Sequence, residues 1–267
     1  ATAVKLGKEV VIAYADYEQL VGGVDTLFKG SSQKLQSYAS NAYKTAGLSA
    51  NDYMETVTGF SASLIQSLGG DTDKSVKYAD MAITDMADNA NKMGTDMSLI
   101  QNAYQGFAKQ NYTMLDNLKL GYGGTKEEMQ RLLSDAEKIS GVKYDISSYA
   151  DVVDAIHVMQ ESMDIAGTTA KEAEGTISGS VNALKSSVTN LVVGFGDANA
   201  DLGELCENVV TAFQTVLENI SPIVENLVSA LPIVITTLLE SAGEMLPTVL
   251  ETLAELFAQV LEGLLQL

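Results

Sequence analysis

The stretch Leu118-Lys-Leu-Gly-Tyr-Gly-Gly-Thr-Lys-Glu-Glu-Met129 sets three glycines within four positions, ahead of a Thr-Lys pair and a run of helix formers. Two readings compete. A phosphate-cradling loop has the order Gly-x-x-x-x-Gly-Lys-Ser/Thr behind a buried strand. Here Lys126 follows Thr125 instead of a glycine, and Leu115, Asp116, Asn117 and Leu118 look helical. A dinucleotide fingerprint fails too, because no βαβ unit surrounds the glycines. The residues beyond the glycines fit a capping box: Thr125 pairs with Glu128 three residues on, and Glu127 suits the positive end of a helix. Gly121, Gly123, Gly124, Thr125 and Glu128 therefore read as a helix–glycine–helix connector, with Leu120 ending the first helix.

The same punctuation recurs along the chain. Gly47 precedes Ser49, which pairs with Asp52; Gly69 and Gly70 precede Asp71 and Thr72; Gly94 precedes Thr95. Gly141 ends a helix and Ser147 or Ser148 begins the next, while Gly167 precedes Thr168 and Thr169, with Glu172 three beyond the latter. Glycine takes the left-handed conformation that closes one helix, and a Ser, Thr or Asp oxygen accepts from the free N–H groups that open the next. Between these points apolar residues recur at helical spacing, as in Val10, Tyr14, Tyr17 and Val21, or Val152, Ile156, Met159 and Met163. No segment alternates with period two. The fold class expected is all-α, with short-to-medium helices joined by Gly/Ser/Thr connectors.

Composition divides the chain. Every Tyr lies at or before Tyr149, every Lys and Arg at or before Lys185, and Pro222, Pro232 and Pro247 after both. The expected organisation is a helical region over 1–196 and an acidic, apolar, Pro-punctuated helical region over 197–267. In the second region, proline suits a first helical turn. It predicts short helices in series, from Pro222 to Ala230, from Pro232 to Ser241 and from Pro247 onward. Leu246, Leu250, Leu253, Phe257, Val260, Leu264 and Leu267 alternate steps of four and three, the spacing of a coiled-coil seam. Glu244, Glu251, Glu255 and Glu262 fall off that seam, so the expected role is self-association. A membrane span needs about 20 apolar residues. The uncharged run between Glu225 and Glu240 is shorter and holds Pro232, so no span is expected from it alone.

The 267 residues suffice for a large core, with 46% hydrophobic and 19% charged side chains. A net charge of −19 opposes general binding to phosphate backbones or anionic lipid. Chemistry is scarce. Cys206 is the only cysteine, which excludes an intrachain disulfide and a cysteine zinc site, and it reads as a small buried residue on a helix. His157 is the only histidine and reads as a helix-packing or helix-surface residue. Asp71-Thr72-Asp73 starts like a calcium loop but lacks the later ligands, so it reads as a cap. No catalytic, cofactor-binding or metal-binding residues are assigned, and no enzyme is expected.

Two runs carry a family resemblance. They are Asp85-Met-Ala-Asp-Asn-Ala-Asn-Lys-Met-Gly94 and Ile100-Gln-Asn-Ala-Tyr-Gln-Gly-Phe-Ala-Lys-Gln-Asn-Tyr-Thr-Met-Leu-Asp-Asn-Leu-Lys-Leu-Gly-Tyr-Gly-Gly-Thr125. They resemble the tail tape measure proteins of long-tailed phages of Gram-positive bacteria and of phage-tail-like bacteriocins. Tyr17–Val24, Gly47–Met54 and Gly175–Lys185 resemble the same family, and the chain reads as an internal piece of a longer one. The resemblance implies a protein of the virion, lying in the tail tube lumen after assembly in the host cytoplasm. It implies a ruler that sets tail length, scaffolds tube polymerisation and is released at DNA ejection. The implied partners are tail tube and distal tail or baseplate proteins, tail assembly chaperones, further copies of itself as a trimer, and the host membrane on ejection, with no specific nucleic-acid binding. Two other classes stay open: a membrane-active helical protein, and a wall hydrolase.

Overall fold

The capping signals cut the chain into helices in the computed structural model, which describes residues 2–241 and 246–265. In chain order these are α1 (Thr2–Phe28), a 3-10 turn (Lys29–Ser31), α2 (Ser32–Thr45), α3 (Ala50–Thr58), α4 (Ser61–Ser67), α5 (Thr72–Met93) and α6 (Met97–Ala108). A second 3-10 turn (Leu115–Leu118) leads to α7 (Lys126–Ser140), α8 (Tyr149–Ser162), α9 (Thr168–Gly175), α10 (Ile177–Gly194), α11 (Leu202–Ser241) and α12 (Leu246–Leu265). The protein is all-α, with no strand among the described residues.

Local chemistry explains most boundaries. Ser49, Asp71, Thr125 and Ser148 each accept from the N–H three residues on. Each satisfies a donor that the first helical turn leaves free. Gly94 and Gly141 close α5 and α7 in the left-handed conformation. Two caps differ from expectation. Asp96, not Thr95, caps α6, because its carboxylate reaches the Ser98 N–H while the Thr95 hydroxyl donates to the Asn117 carbonyl. At α9 the cap position is Gly167 itself, with no side-chain cap of its own, and Thr169 does not pair with Glu172.

The core is built around α5. Val76, Ala79, Ala82, Ile83 and Met86 are wholly buried, and the helix contacts α4, α6, α8 and α9. Tyr53, Tyr104, Phe28 and Phe107 are the largest side chains sealed around it. Burying each such group contributes about 1.5–3 kcal/mol. Phe60 meets Tyr149 edge-on, with ring centres 6.2 Å apart, which ties the start of α4 to α8. Val152, Ile156 and Met159 of α8 are buried, but Met163 lies at the helix end and is exposed.

The α10 helix docks on the α2–α3 junction by polar contacts. Asn190 Oδ1 accepts from the Ala50 N–H at 2.8 Å, and Asn182 Nδ2 and Ser186 Oγ donate to the Gly47 carbonyl. The α11 helix then packs along α10, burying Ala212 and Val216. Cys206 falls beside that stripe and is exposed, not buried as its small apolar character predicts.

The series of short Pro-started helices is not seen. Pro222 and Pro232 both lie inside α11, a continuous helix of 40 residues. A proline removes one backbone hydrogen bond and crowds the carbonyl four residues back. Ile223, Val224, Ile233 and Val234 beside the prolines are only moderate helix formers, yet the helix carries through. Pro247 does sit in the first turn of α12.

Candidate functional site

The side chains in the first run that carries the resemblance form a buried polar strip on α5. Asp85, Asp88 and Asn89 are at most 1% exposed. They lie one and three residues apart, so they share one side of the helix. Each holds a different neighbour. His157 Nδ1 of α8 lies 2.9 Å from Asp85 Oδ1 and 3.0 Å from Oδ2. The Asp88 carboxylate accepts the Gly167 N–H at 2.6 Å and the Thr169 N–H at 2.8 Å, so a side chain of α5 caps α9. Asn89 Nδ2 donates to the Leu118 carbonyl at 3.0 Å. Gln160 of α8 adds a donor to the Asp85 carbonyl. The strip therefore fastens α8, the α8–α9 turn and the second 3-10 turn onto one helix.

Burial raises the Asp85 carboxyl to about 6, a shift that the hydrogen bond from His157 partly offsets. The hydrogen bond to Asp85 raises the His157 imidazolium above its usual range, against the opposing effect of burial. Glu161 stands 3.5 Å from His157 Nε2 on the outer side. When both groups are charged, the buried carboxylate is matched by the imidazolium beside it.

The glycine connector is a second constellation. Gly121, Gly123, Gly124 and Thr125 lie between the second 3-10 turn and α7, and Glu128 stands in the first turn of α7. The segment before them is not the α-helix that Leu115 to Leu120 predict. Asn111 Oδ1 takes the Thr113 N–H and hydroxyl, and Lys119 adopts a left-handed φ of 52°, which limits helix to the single turn Leu115–Leu118. Thr125 Oγ1 accepts from the Glu128 N–H. The Glu128 carboxylate reaches back to the Gly123 N–H at 2.9 Å, two residues before the cap. A carboxylate of the chain itself thus occupies a donor that a phosphate would need. Arg131 lies over the Tyr122 ring at 4.3 Å, donates to the Gly121 carbonyl and pairs with Glu128 at 2.6 Å. The Arg131 hydrogen bond, with the Gly123 N–H, holds Glu128 down to about 2. Burial, with the hydrogen bond to Asp135, pushes Tyr122 up to about 12.

Tyr122, Arg131 and Asp135 complete this network and were not among the residues that the glycine pattern singles out. The i,i+3 spacing of Glu128 and Arg131 is a signal for one pair; the contact of Arg131 with Tyr122 has no sequence signature. The link between Asp85 and His157, 72 residues apart, has none either.

The acidic character is also local. An open groove of about 910 Å³ between α1 and α3 is lined by Glu9, Asp16, Asp52 and Glu55. Among the described residues no cluster of three His, Cys, Asp or Glu is placed to hold a metal ion.

Of the expected self-association seam, Leu267 lies outside the described residues, as do the side chains of Leu246, Leu250, Leu253, Val260 and Leu264. Phe257 is exposed on α12, as is Leu256 beside it. The stretch Leu202–Thr237 of α11 is long and apolar enough to cross a membrane, with mean hydropathy 1.5 and none of its most apolar window buried. This differs from the sequence expectation because the prolines do not end the helix, so apolar segments on either side of Glu225 join into one.

Comparison with protein-family models, curated proteins and solved structures finds no match for this chain.

Proposed function

We propose that this chain is a segment of a tape measure protein, of a phage tail or a phage-tail-like bacteriocin. In this role it sets tail length, scaffolds polymerisation of the tail tube from within and leaves at DNA ejection. Its partners are the tube, the distal tail or baseplate, the assembly chaperones and further copies of itself. The observation that carries the reading is the family resemblance of residues 85–94 and 100–125. The buried strip and the glycine connector support it, because the polar residues of these runs are spent on fastening helices. The acidic surface also fits, since DNA that must pass a lumen is repelled by like charge.

The test is in-frame removal of helical segments from the gene encoding this chain, with tail length measured by electron microscopy. For helix lying along the tube, the tail shortens by about 1.5 Å per residue removed. Tails of unchanged length reject the ruler.

A second reading, a membrane-active helical protein, is favoured by one observation, the exposed apolar length of α11. Leakage of neutral and anionic vesicles by the intact chain, lost when Val228 and Ile233 become Asp, supports it. Vesicles that stay sealed reject it.

A further inference from the structure

One wall of the groove between α1 and α3 is a single face of α1. Glu9, Ile12, Asp16, Leu20 and Gly23 line it at steps of three, four, four and three, so they stack along one side of the helix. From Glu9 to Gly23 that side runs about 21 Å, roughly four helical turns. Asp52 and Glu55, three residues apart on α3, form the facing wall. The floor between the walls is apolar. Ile12 is 50% exposed, Leu20 is partly buried against the core, and Gly23 presents no side chain where α1 passes Thr58 of α3.

Four exposed carboxylates thus border an apolar trough, and no Lys or Arg lines it. Lys5 stands 3.9 Å from Glu9 on α1, but both side chains are more than half exposed, so water screens the pair. The trough therefore keeps its negative field.

These two features select the occupant. A ligand that fills the trough must offer apolar surface to Ile12 and Leu20 and cations to the walls on either side. Phosphates of nucleic acid or anionic lipid are repelled by such a field. A metal ion has no ligand set, since among the described residues no cluster of three His, Cys, Asp or Glu is placed to hold one. A second copy of the chain brings a further charge of −19, and its exposed apolar helices α11 and α12 hold no Lys or Arg. An amphipathic helix with Lys or Arg on both margins of its apolar stripe meets each requirement. The stripe lies on the floor, and the marginal cations face α1 and α3. We propose that the α1–α3 groove docks a cationic amphipathic helix of a different protein, with about 14 of its residues in contact. Charge pairing along the rim steers the encounter and sets which partners are admitted, while the floor contributes apolar burial. The proposal does not rest on the tape measure reading.

The test is fluorescence anisotropy of a labelled peptide of about 18 residues, acetylated and amidated, titrated with the intact chain. The peptide carries leucine at helical spacing and lysine along both margins. Saturable binding in the micromolar range is expected, weakening as salt rises. The same peptide with glutamate in place of lysine is expected not to bind. Glu9→Gln/Asp16→Asn/Glu55→Gln, which alters exposed side chains only, is expected to weaken binding about tenfold, three exposed ion pairs being lost. Asp52 is kept, because it also pairs with Ser49 at the start of α3. Ile12→Arg, which sets a cation on the floor, is expected to abolish binding. Glu207→Gln/Glu218→Gln/Glu225→Gln on α11 makes the same change in charge away from the groove and is expected to bind like the unaltered chain. Absence of binding to the unaltered chain overturns the proposal. So does equal weakening by the two triple variants, which reduces the effect to net charge. Spermine held as tightly as the peptide, with the same loss in the groove variant, overturns the helix as occupant. A mass above 28.3 kDa for the chain alone that Ile12→Arg returns to one copy also overturns it, since a second copy then covers the groove.

Discussion

Gly124 rests against the backbone carbonyl of Thr113 with no room for a Cβ between them. The contact brings the start of α7 onto the loop after α6. Backbone, unlike the end of a flexible side chain, cannot yield cheaply. Gly124→Ala is therefore expected to destabilise the fold by about 1–3 kcal/mol, and Gly124→Val by more. Gly121 faces open space, but its φ of 87° disfavours a side chain. Gly121→Ala is expected to cost only about 1 kcal/mol. Urea denaturation midpoints check the order, and a Gly124→Ala variant no weaker than Gly121→Ala contradicts the steric account.

Asp88 caps α9 from another helix, so its loss strands two partly buried amides, those of Gly167 and Thr169. Hydrogen bonds to a charged group contribute about 1.5–3 kcal/mol, and a stranded buried donor costs its desolvation as well. Asp88→Ala is expected to lower stability by roughly 3 kcal/mol, and Asp88→Asn, which keeps one acceptor, by less. Amide exchange at Gly167 and Thr169 should quicken first. Unchanged protection there would show that the cap contributes nothing.

The pair of Asp85 and His157 gives stability a definite pH dependence. Asp85 is raised from 3.8 to about 6, so the native state holds more proton than the unfolded chain between those values. Stability falls as pH rises across that window. His157 is raised above 6.5, so its contribution is fully present below 6.5 and is lost as pH rises through the higher native value. Both slopes have the same sign. The carboxylates lowered by partners, Glu128 and Asp73 among them, slope the other way. The informative quantity is therefore the difference between wild type and Asp85→Asn/His157→Gln. That difference should shift against wild type from about pH 4 to about pH 6 through Asp85, and further as pH rises through the raised His157 value. A flat difference means that the pair does not titrate on folding.

Much of this was legible in the sequence where the controlling interactions are local. Ser49, Asp71, Thr125 and Ser148 announce their helices because cap and amide are three residues apart. Asp88 could not be read as a cap, since the amides it serves lie 79 and 81 residues away and only packing unites them. Thr169 failed as a capping residue because α9 already begins at Thr168, which puts Thr169 inside the first turn, where its N–H is one of the donors that Asp88 serves. Cys206 shows the converse limit: helical spacing tells which residues share a face, but not which of two apolar faces finds a partner. The prolines misled because the preference of proline for a first helical turn does not stop a helix that continues on both sides of it.

Pro222 supplies the last prediction. It lies inside α11 at an outward position and leaves the Glu218 carbonyl without the N–H that a different residue would offer. Beyond Ile220 the helix is held by few contacts with the body, so its persistence depends on its own backbone bonds. An interior proline costs about 3 kcal/mol relative to alanine. Pro222→Ala is expected to slow amide exchange in the 223–234 segment by up to about a hundredfold, because each opening must break one more bond of a better helix. The urea midpoint of the α5-centred body should not move, since no core side chain is touched. If exchange in that segment is unchanged, neighbouring contacts and not the backbone carry α11 through the proline.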